Sequence, residues 1–278
     1  MPDATPSYQP FGADALESFD AADLAYTAYN AERSLQDGEN ALEIRSFGAG
    51  LHGLRDPGRE ESYYNRLVGL SEASLDRLGA AIDWYHAAGR ECRATLLPNR
   101  ATPALIGRLE SAGFLLAAHD WIFAIHRSAI ATPSMPVAVR RASAEDMDVA
   151  FDLWETPDSP IPAKVRALRR PAHLRADFAI YLAEIEGRPA AMATSFVAHG
   201  IAWLGNANTR EADRRRGCQQ ALMQHRLWEA REAGCTWAVT DTAFGTATHR
   251  NAERLGMHLA FSRFEVRLPA PAGARTPP

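Results

Sequence analysis

The chain has 278 residues, of which 46% are hydrophobic and 23% charged, and a formal net charge of −4. This ordinary globular balance excludes a disordered or fibrous chain, and the negative sum excludes a surface built throughout to hold nucleic acid. The length suits two domains of about 130 residues each. The three cysteines, Cys92, Cys218 and Cys235, form no C-x-x-C pair and no metal-ligand spacing, which implies free thiols in a reducing compartment and no metal site. No apolar run approaches the ~18 residues needed to span a bilayer, and the acidic N-terminal stretch lacks the blocks of a signal peptide, so the expectation is a cytoplasmic protein without a membrane partner.

In chain order, ADALESFDAADLAYTAYNAERSL carries apolar residues at helical spacing. ALEIRSFGAGLHGLR and YYNRLVGL are strand-like, SLDRLGAAIDWYHAAG is a helix closed by Gly89, ECRATLLP a strand, TPALIGRLESAG a helix, and FLLAAHD and WIFAIHR two strands. RSAIATPSMP, residues 127 to 136, carries two prolines among small residues, and proline blocks both helix continuation and ladder bonding, so a linker is expected there. Downstream, VAVRRAS is a strand and SAEDMDVAFDLWETP a helix capped by Ser143 with Asp146 three residues on. AKVRALRR is helical, and residues 178 to 209 form three strands with turns at Glu186-Gly187 and His199-Gly200. A helix after Gly217, the strand TWAVTD, the helix THRNAERLG and the strand LAFSRFEVRL follow, before a Pro/Ala-rich tail over 269–278 that is expected to fray. Strands alternating with helices predict an α/β layered fold. Both halves end in a short helix, a glycine and strands (RLESAGFLLAAH and NAERLGMHLAFS), so the chain is expected to hold two copies of one fold, over 1–130 and 137–268.

One stretch carries a chemical signal. Arg214-Arg215-Arg216-Gly217 separates the strand end Ala207-Asn208-Thr209 from a long helical pattern. Unpaired N–H groups at a helix start, with about half a positive charge from the macrodipole, attract phosphate oxygens. Gly217 lets the main chain close round an anion, and the arginines add mobile charge. An exposed surface turn would read the same way. Neither G-x-G-x-x-G nor G-x-x-x-x-G-K-[S/T] is present, which removes the Rossmann and P-loop alternatives.

The stretch Arg214-Arg215-Arg216-Gly217-Cys218-Gln219 resembles the [Q/R]-x-x-G-x-[G/A] signature of the GNAT superfamily of acyl-CoA-dependent N-acyltransferases, and the element order over roughly 137 to 268 is similar to that family's. The N-terminal half has no such signature and reads as a degenerate copy. The resemblance implies two GNAT-like domains, each a mixed, mostly antiparallel sheet flanked by helices. It implies acetyl-CoA as cofactor, with the strand edge at Ala207, Asn208 and Thr209 against the pantetheine arm. It places the N–H groups from Arg215 through Gly217, Cys218 and Gln219 to Gln220 on the pyrophosphate, and Asn251 near the thioester. Two positions depart from the pattern: Gln219 stands where a Gly or Ala is usual, and Ala252 where many members carry a tyrosine that protonates the departing thiolate.

Acyl transfer to an amine whose ammonium pKa is near ~10 needs a group that removes a proton, and Asp241, ending TWAVTD, and His249, opening the next helix, are the candidates. Asp241 reads equally as a turn cap and His249 as an exposed first-turn imidazole. A strand N–H near Thr209 is a candidate oxyanion donor. Cys218 sits at a helix start, which would lower its thiol pKa, but no His or Asn partner makes it a nucleophile. The expected function is transfer of an acetyl group to a primary amine of a small molecule, in a cleft between the halves or completed by a second subunit of a homodimer. A catalytically inactive acyl-CoA-binding regulatory or scaffold protein is the alternative that Gln219 and Ala252 suggest, and the arginine run alone would suit nucleic acid only on a broader basic face. The loop ETPDSPIPAKV is expected to shape acceptor specificity.

Overall fold

The computed structural model of the protein describes residues 9–37, 40–134, 136–155 and 160–270. Part of the expected specificity loop, residues 156–159, and all but two residues of the 269–278 tail lie outside the described residues.

The elements in chain order are helix α1 (Ala13–Arg33), strands β1 (Glu43–Gly48), β2 (Leu51–Arg55) and β3 (Arg66–Val68), helix α2 (Leu78–His86), β4 (Cys92–Leu96), α3 (Pro103–Ala112), β5 (Leu115–His126), β6 (Ala138–Arg141), α4 (Met147–Trp154), α5 (Ala163–His173), β7 (Phe178–Ile185), β8 (Arg188–Ala198), β9 (Ile201–Thr209), α6 (Cys218–Glu232), β10 (Trp237–Thr242), α7 (Ala247–Arg254) and β11 (His258–Leu268). This is the expected α/β alternation with two local differences. Residues 115 to 126 run as one strand, because His119-Asp120 supplies no turn. The first part of YYNRLVGL is a 3-10 turn, Ser62–Tyr64, leaving only three residues for β3.

The chain folds into two compact units. One draws on Met1–Glu39 and Ile122–Ala260, the other on Asn40–Trp121 and Phe261–Pro278. This division does not follow the 1–130 and 137–268 boundaries. The reason lies in α1, whose aromatic face covers the C-terminal strands: Phe19 and Tyr26 lie on Trp203, and Tyr26 and Tyr29 stack on Phe196 at ring distances of 5.0 and 5.1 Å. A proline-rich segment marks where regular structure stops, whereas the apolar face of a helix decides which sheet it joins.

In the first unit the sheet order is β5 (its residues 122–126), β10, β9, β8, β7, β6. The turns between β7, β8 and β9 have positive φ at both central residues, 54° and 75° at Glu186-Gly187 and 50° and 75° at His199-Gly200, the hairpin geometry their sequence predicts. Strand alternation gives the sheet two apolar faces. Ala179, Tyr181, Ala183, Ala191 and Ala193 pack under Cys218 and Leu222 of α6, while Phe178 and Phe196 point into the aromatic ring stack of α1. Ser143 and Asp146 form the predicted capping box ahead of α4.

In the second unit the order is β1, β2, β3, β4, β11 (its residues 261–268), with only β3 and β4 parallel among the pairs formed. Its core gathers Leu51, Leu67, Leu78, Tyr85, Leu105 and Phe114. The α3 helix begins at a Thr102 cap and ends on Gly113 in the left-handed region.

Candidate functional site

The site grows from a flaw in the first unit's sheet. β10 and β9 run parallel, but their pairing covers only Trp237–Val239 against Ile201–Trp203. On its other side β9 slips register with β8 between Ala193, opposite Ala207, and Thr194, opposite Gly205, so that Asn206 is an extra residue in a bulge. Beyond Leu204, whose carbonyl accepts a 3.0 Å bond from Thr240 Oγ1, β9 and β10 part, and their edges line a groove.

The groove holds two cavities. One, of about 280 Å³, is lined by Gly205, Asn206, Met223, Arg226, Thr240 and Asp241 among others. The second, of about 510 Å³, is lined by Asn208, Thr209, Asp213, Arg214, Arg215, Gly217 and Cys218 among others. Ala207, Gln219, Ala247 and Asn251 border both, so the two adjoin.

At the wide end the chain turns into α6 through Arg215 at φ 63° and Gly217 at φ 85°, a left-handed entry that suits glycine and strains any other residue. Among the described residues no backbone carbonyl accepts from the N–H groups of Arg215 through Gln220; the first such bond runs from Ala221 back to Gly217. A helix start with uncapped amides, opening on a cavity, offers donors of the kind an anion needs. Arg214 and Arg215 line it and pair with no carboxylate among the described residues. Arg254 of α7, which the sequence reading missed, joins them and donates a 3.1 Å bond to Asn251 Oδ1. Its signal was present: three residues after Asn251 on a helix is the same face.

Four expected members behave differently. Arg216 leaves the cavity, bonding Glu186 at 2.6 Å and Asp213 at 3.3 Å. Asp213 is itself buried and held by both Arg188 amino groups at 2.7 and 2.8 Å, and Arg188 keeps its carboxyl below the usual range. The N–H of Thr209 is taken by the Asn208 side chain at 2.9 Å, a local competition typical of Asn, so it is no free oxyanion donor. The bulk of Gln219 does not cover the amides: its Nε2 leans onto β9, 2.8 Å from Thr209 Oγ1. Cys218 borders the cavity, but burial pushes its thiol up rather than down, and the nearby Asp213 charge adds to this.

Of the two acid–base candidates, the groove contains one. Asp241 is exposed at the narrow end and accepts a long 3.4 Å contact from Trp203 Nε1. His249 lines neither cavity. It is buried between Phe123 and Phe244, its Nδ1 accepts the Gly245 N–H at 2.8 Å, and its Nε2 faces Glu253 at 3.3 Å, so it secures the loop before α7. Its burial depends on a strand more than a hundred residues away, which local sequence does not reveal. Ala252 is fully buried, and among the described residues no tyrosine lines either cavity. Among the described residues no cluster of His, Cys, Asp or Glu is placed to hold a metal ion, and no helix is long and apolar enough to cross a membrane.

No protein-family model matches the sequence, and no curated protein matches it. Solved structures do, over most of their length. A GCN5-related N-acetyltransferase from Kribbella flavida is 20% identical with a TM-score of 0.59, covering 91% of this chain and 96% of that one. A second, from Sphaerobacter thermophilus, is 15% identical with a TM-score of 0.54 over 91% and 92%. A conserved protein of unknown function from Bacteroides thetaiotaomicron is 12% identical with a TM-score of 0.56 over 89% and 91%. At these identities the likeness is one of fold.

Proposed function

The chain has the GNAT fold, and on that premise we propose that it is an acyl-CoA-dependent N-acyltransferase that moves an acetyl group from acetyl-CoA to a primary amine of a small molecule. The observation that carries the reading is the row of uncapped N–H groups from Arg215 to Gln220 facing a cavity that also receives Arg214, Arg215 and Arg254. Linked phosphates need several donors and a positive field at once, and this end of the groove supplies both. The Gly217 entry leaves the cradle free of a side chain.

When bound, acetyl-CoA supplies an activated thioester. The protein's own residues do the rest. The diverging edge of β9 at Ala207 to Thr209 lines the path between the two cavities, with Asn251 at their shared border. Asp241, at the narrow end, draws an acceptor ammonium and takes its proton, directly or through water, because an amine with a pKa near ~10 is not nucleophilic at neutral pH until deprotonated. The negative net charge favours a cationic acceptor by long-range steering. The free thiols Cys92, Cys218 and Cys235 support a reducing, cytoplasmic setting.

The lining, which among the described residues includes no tyrosine, and the buried Ala252 favour one rival, an acyl-CoA-binding protein without turnover. Calorimetric titration with CoA, followed by acetyl transfer from acetyl-CoA across a panel of small primary amines, tests both. Saturable CoA binding with transfer to at least one amine is expected. Binding without transfer to any amine would favour the rival, and no binding would end both readings.

A further inference from the structure

The narrow cavity contains a charge for which the proposed reaction has no assigned task. Arg226, two helical turns into α6, is 2% exposed, one of the largest fully buried side chains of the protein. No carboxylate pairs with it among the described residues. Its partners are all carbonyls: Nη1 donates to Thr194 O at 2.8 Å and to Gly205 O at 2.9 Å, and Nε to Leu222 O at 3.2 Å. Burial pulls the guanidinium down to about 10, which leaves it charged at neutral pH. An unpaired buried cation is expensive, and a neutral apolar side chain would fill the same volume without that cost.

The location of its two strand partners explains the expense. Thr194 and Gly205 face each other at the step where β8 and β9 lose register, the point at which a bulge disrupts the ladder and leaves carbonyls without strand partners. The single Nη1 amino group carries two N–H donors and places one on each strand, so one nitrogen at the end of the long side chain ties β8 to β9. Other groups hold the same point. A side chain at Gly205 would collide with the hydroxyl of Tyr26 from α1, and Thr240 of β10 bonds the preceding carbonyl, Leu204. The bulge is therefore clamped from α6, α1 and β10 together.

We propose that Arg226 is a positioning residue: its Nη1 amino group, bonded to both strands, fixes the Gly205–Ala207 bulge so that the freed backbone of β9 presents hydrogen-bond donors to the acyl carbonyl in the narrow cavity. This rests on the acetyl-CoA reading and assigns the donor role to the bulge, the Thr209 N–H being already engaged. It also gives a groove that is lined by no tyrosine among the described residues a fixed electrostatic contribution that requires no proton donor.

The test uses the full chain and acetyl-CoA carrying 13C at the thioester carbonyl, read by isotope-edited difference infrared spectroscopy, with affinity measured by calorimetry. In the parent the bound carbonyl stretch is expected at lower frequency than in free acetyl-CoA. Arg226→Met should keep acetyl-CoA affinity within about threefold, since the phosphate end is untouched, and lose the shift. If that variant does not fold, Arg226→Gln carries the same test, because its shorter amide ends near the position of Nε and reaches neither strand carbonyl; the shift should again vanish. Retention of the shift in either folded variant would overturn the proposal, as would a parent that binds acetyl-CoA with no shift. A parent that binds no acetyl-CoA at all fails the cofactor reading itself.

Discussion

The protein builds a parallel strand–helix–strand crossover in each of its units, β3 to β4 through α2 and β9 to β10 through α6, and the two differ where the helix begins. In the second unit residues 69–71 lead directly into a 3-10 turn, Glu72–Arg77, that opens α2. Its start is closed by the chain itself: Ser74 Oγ accepts the Ser71 N–H at 3.0 Å and donates back to Ser71 O at 2.9 Å, and the Ser74 N–H bonds Ser71 O. In the first unit residues 210–217 make a longer approach, and α6 begins with its amides uncapped and Arg214 and Arg215 beside them. Both segments satisfy the demand that a helix start places on its surroundings, one internally and one by facing a cavity. An open helix N-terminus thus comes from what the sequence withholds, the capping side chain, as much as from what it adds.

The sharpest way to break the contrast is to fill the open start. Gly217→Trp should reduce CoA affinity by ~100-fold or more, while its left-handed backbone costs stability only about 1–2 kcal/mol. Calorimetry and thermal melts together check it, and unchanged affinity would mean that the cradle lies elsewhere. Next in size, Asp241→Asn should lower kcat by about 10²-fold or more and leave CoA affinity alone, because the carboxylate borders the narrow cavity and not the amides. A parallel loss of both would assign Asp241 to the groove's architecture. The smallest effect falls on the closed crossover. Ser74→Ala removes the hydroxyl that caps α2's entrance and should cost about 1 kcal/mol in denaturant unfolding, with no change in CoA binding. A change in CoA affinity there would dissolve the distinction between the two crossovers.

Much of this arrangement was legible from residues alone. Glu186-Gly187 and His199-Gly200 announced the two hairpins, Ser143 with Asp146 announced a helix start, and Arg214 to Gly217 marked the open one. Each of these signals is local, set by φ preferences or by hydrogen bonds a few residues apart. The misreadings were non-local. His249 was drawn out of the site by Phe123, Arg216 by Glu186 across thirty residues, and helix α1 by the aromatic residues of β7, β8 and β9. Nothing in LMQHRLWEA distinguished Arg226 from an ordinary helix-surface arginine, because its burial is decided by a register slip in two other strands.

The way α1 lies on the first unit also governs how the chain can be cut. A fragment beginning at residue 137 would hold every residue that lines the groove, yet it would uncover Phe178, Phe196 and Trp203, which α1 now shields, and forfeit the five-residue ribbon 122–126 that flanks β10. Such an apolar expanse invites aggregation. Helix α1 and the ribbon 122–126 are thus part of the first unit's scaffold, and dissecting this molecule at its apparent linker would sever one body instead of separating two.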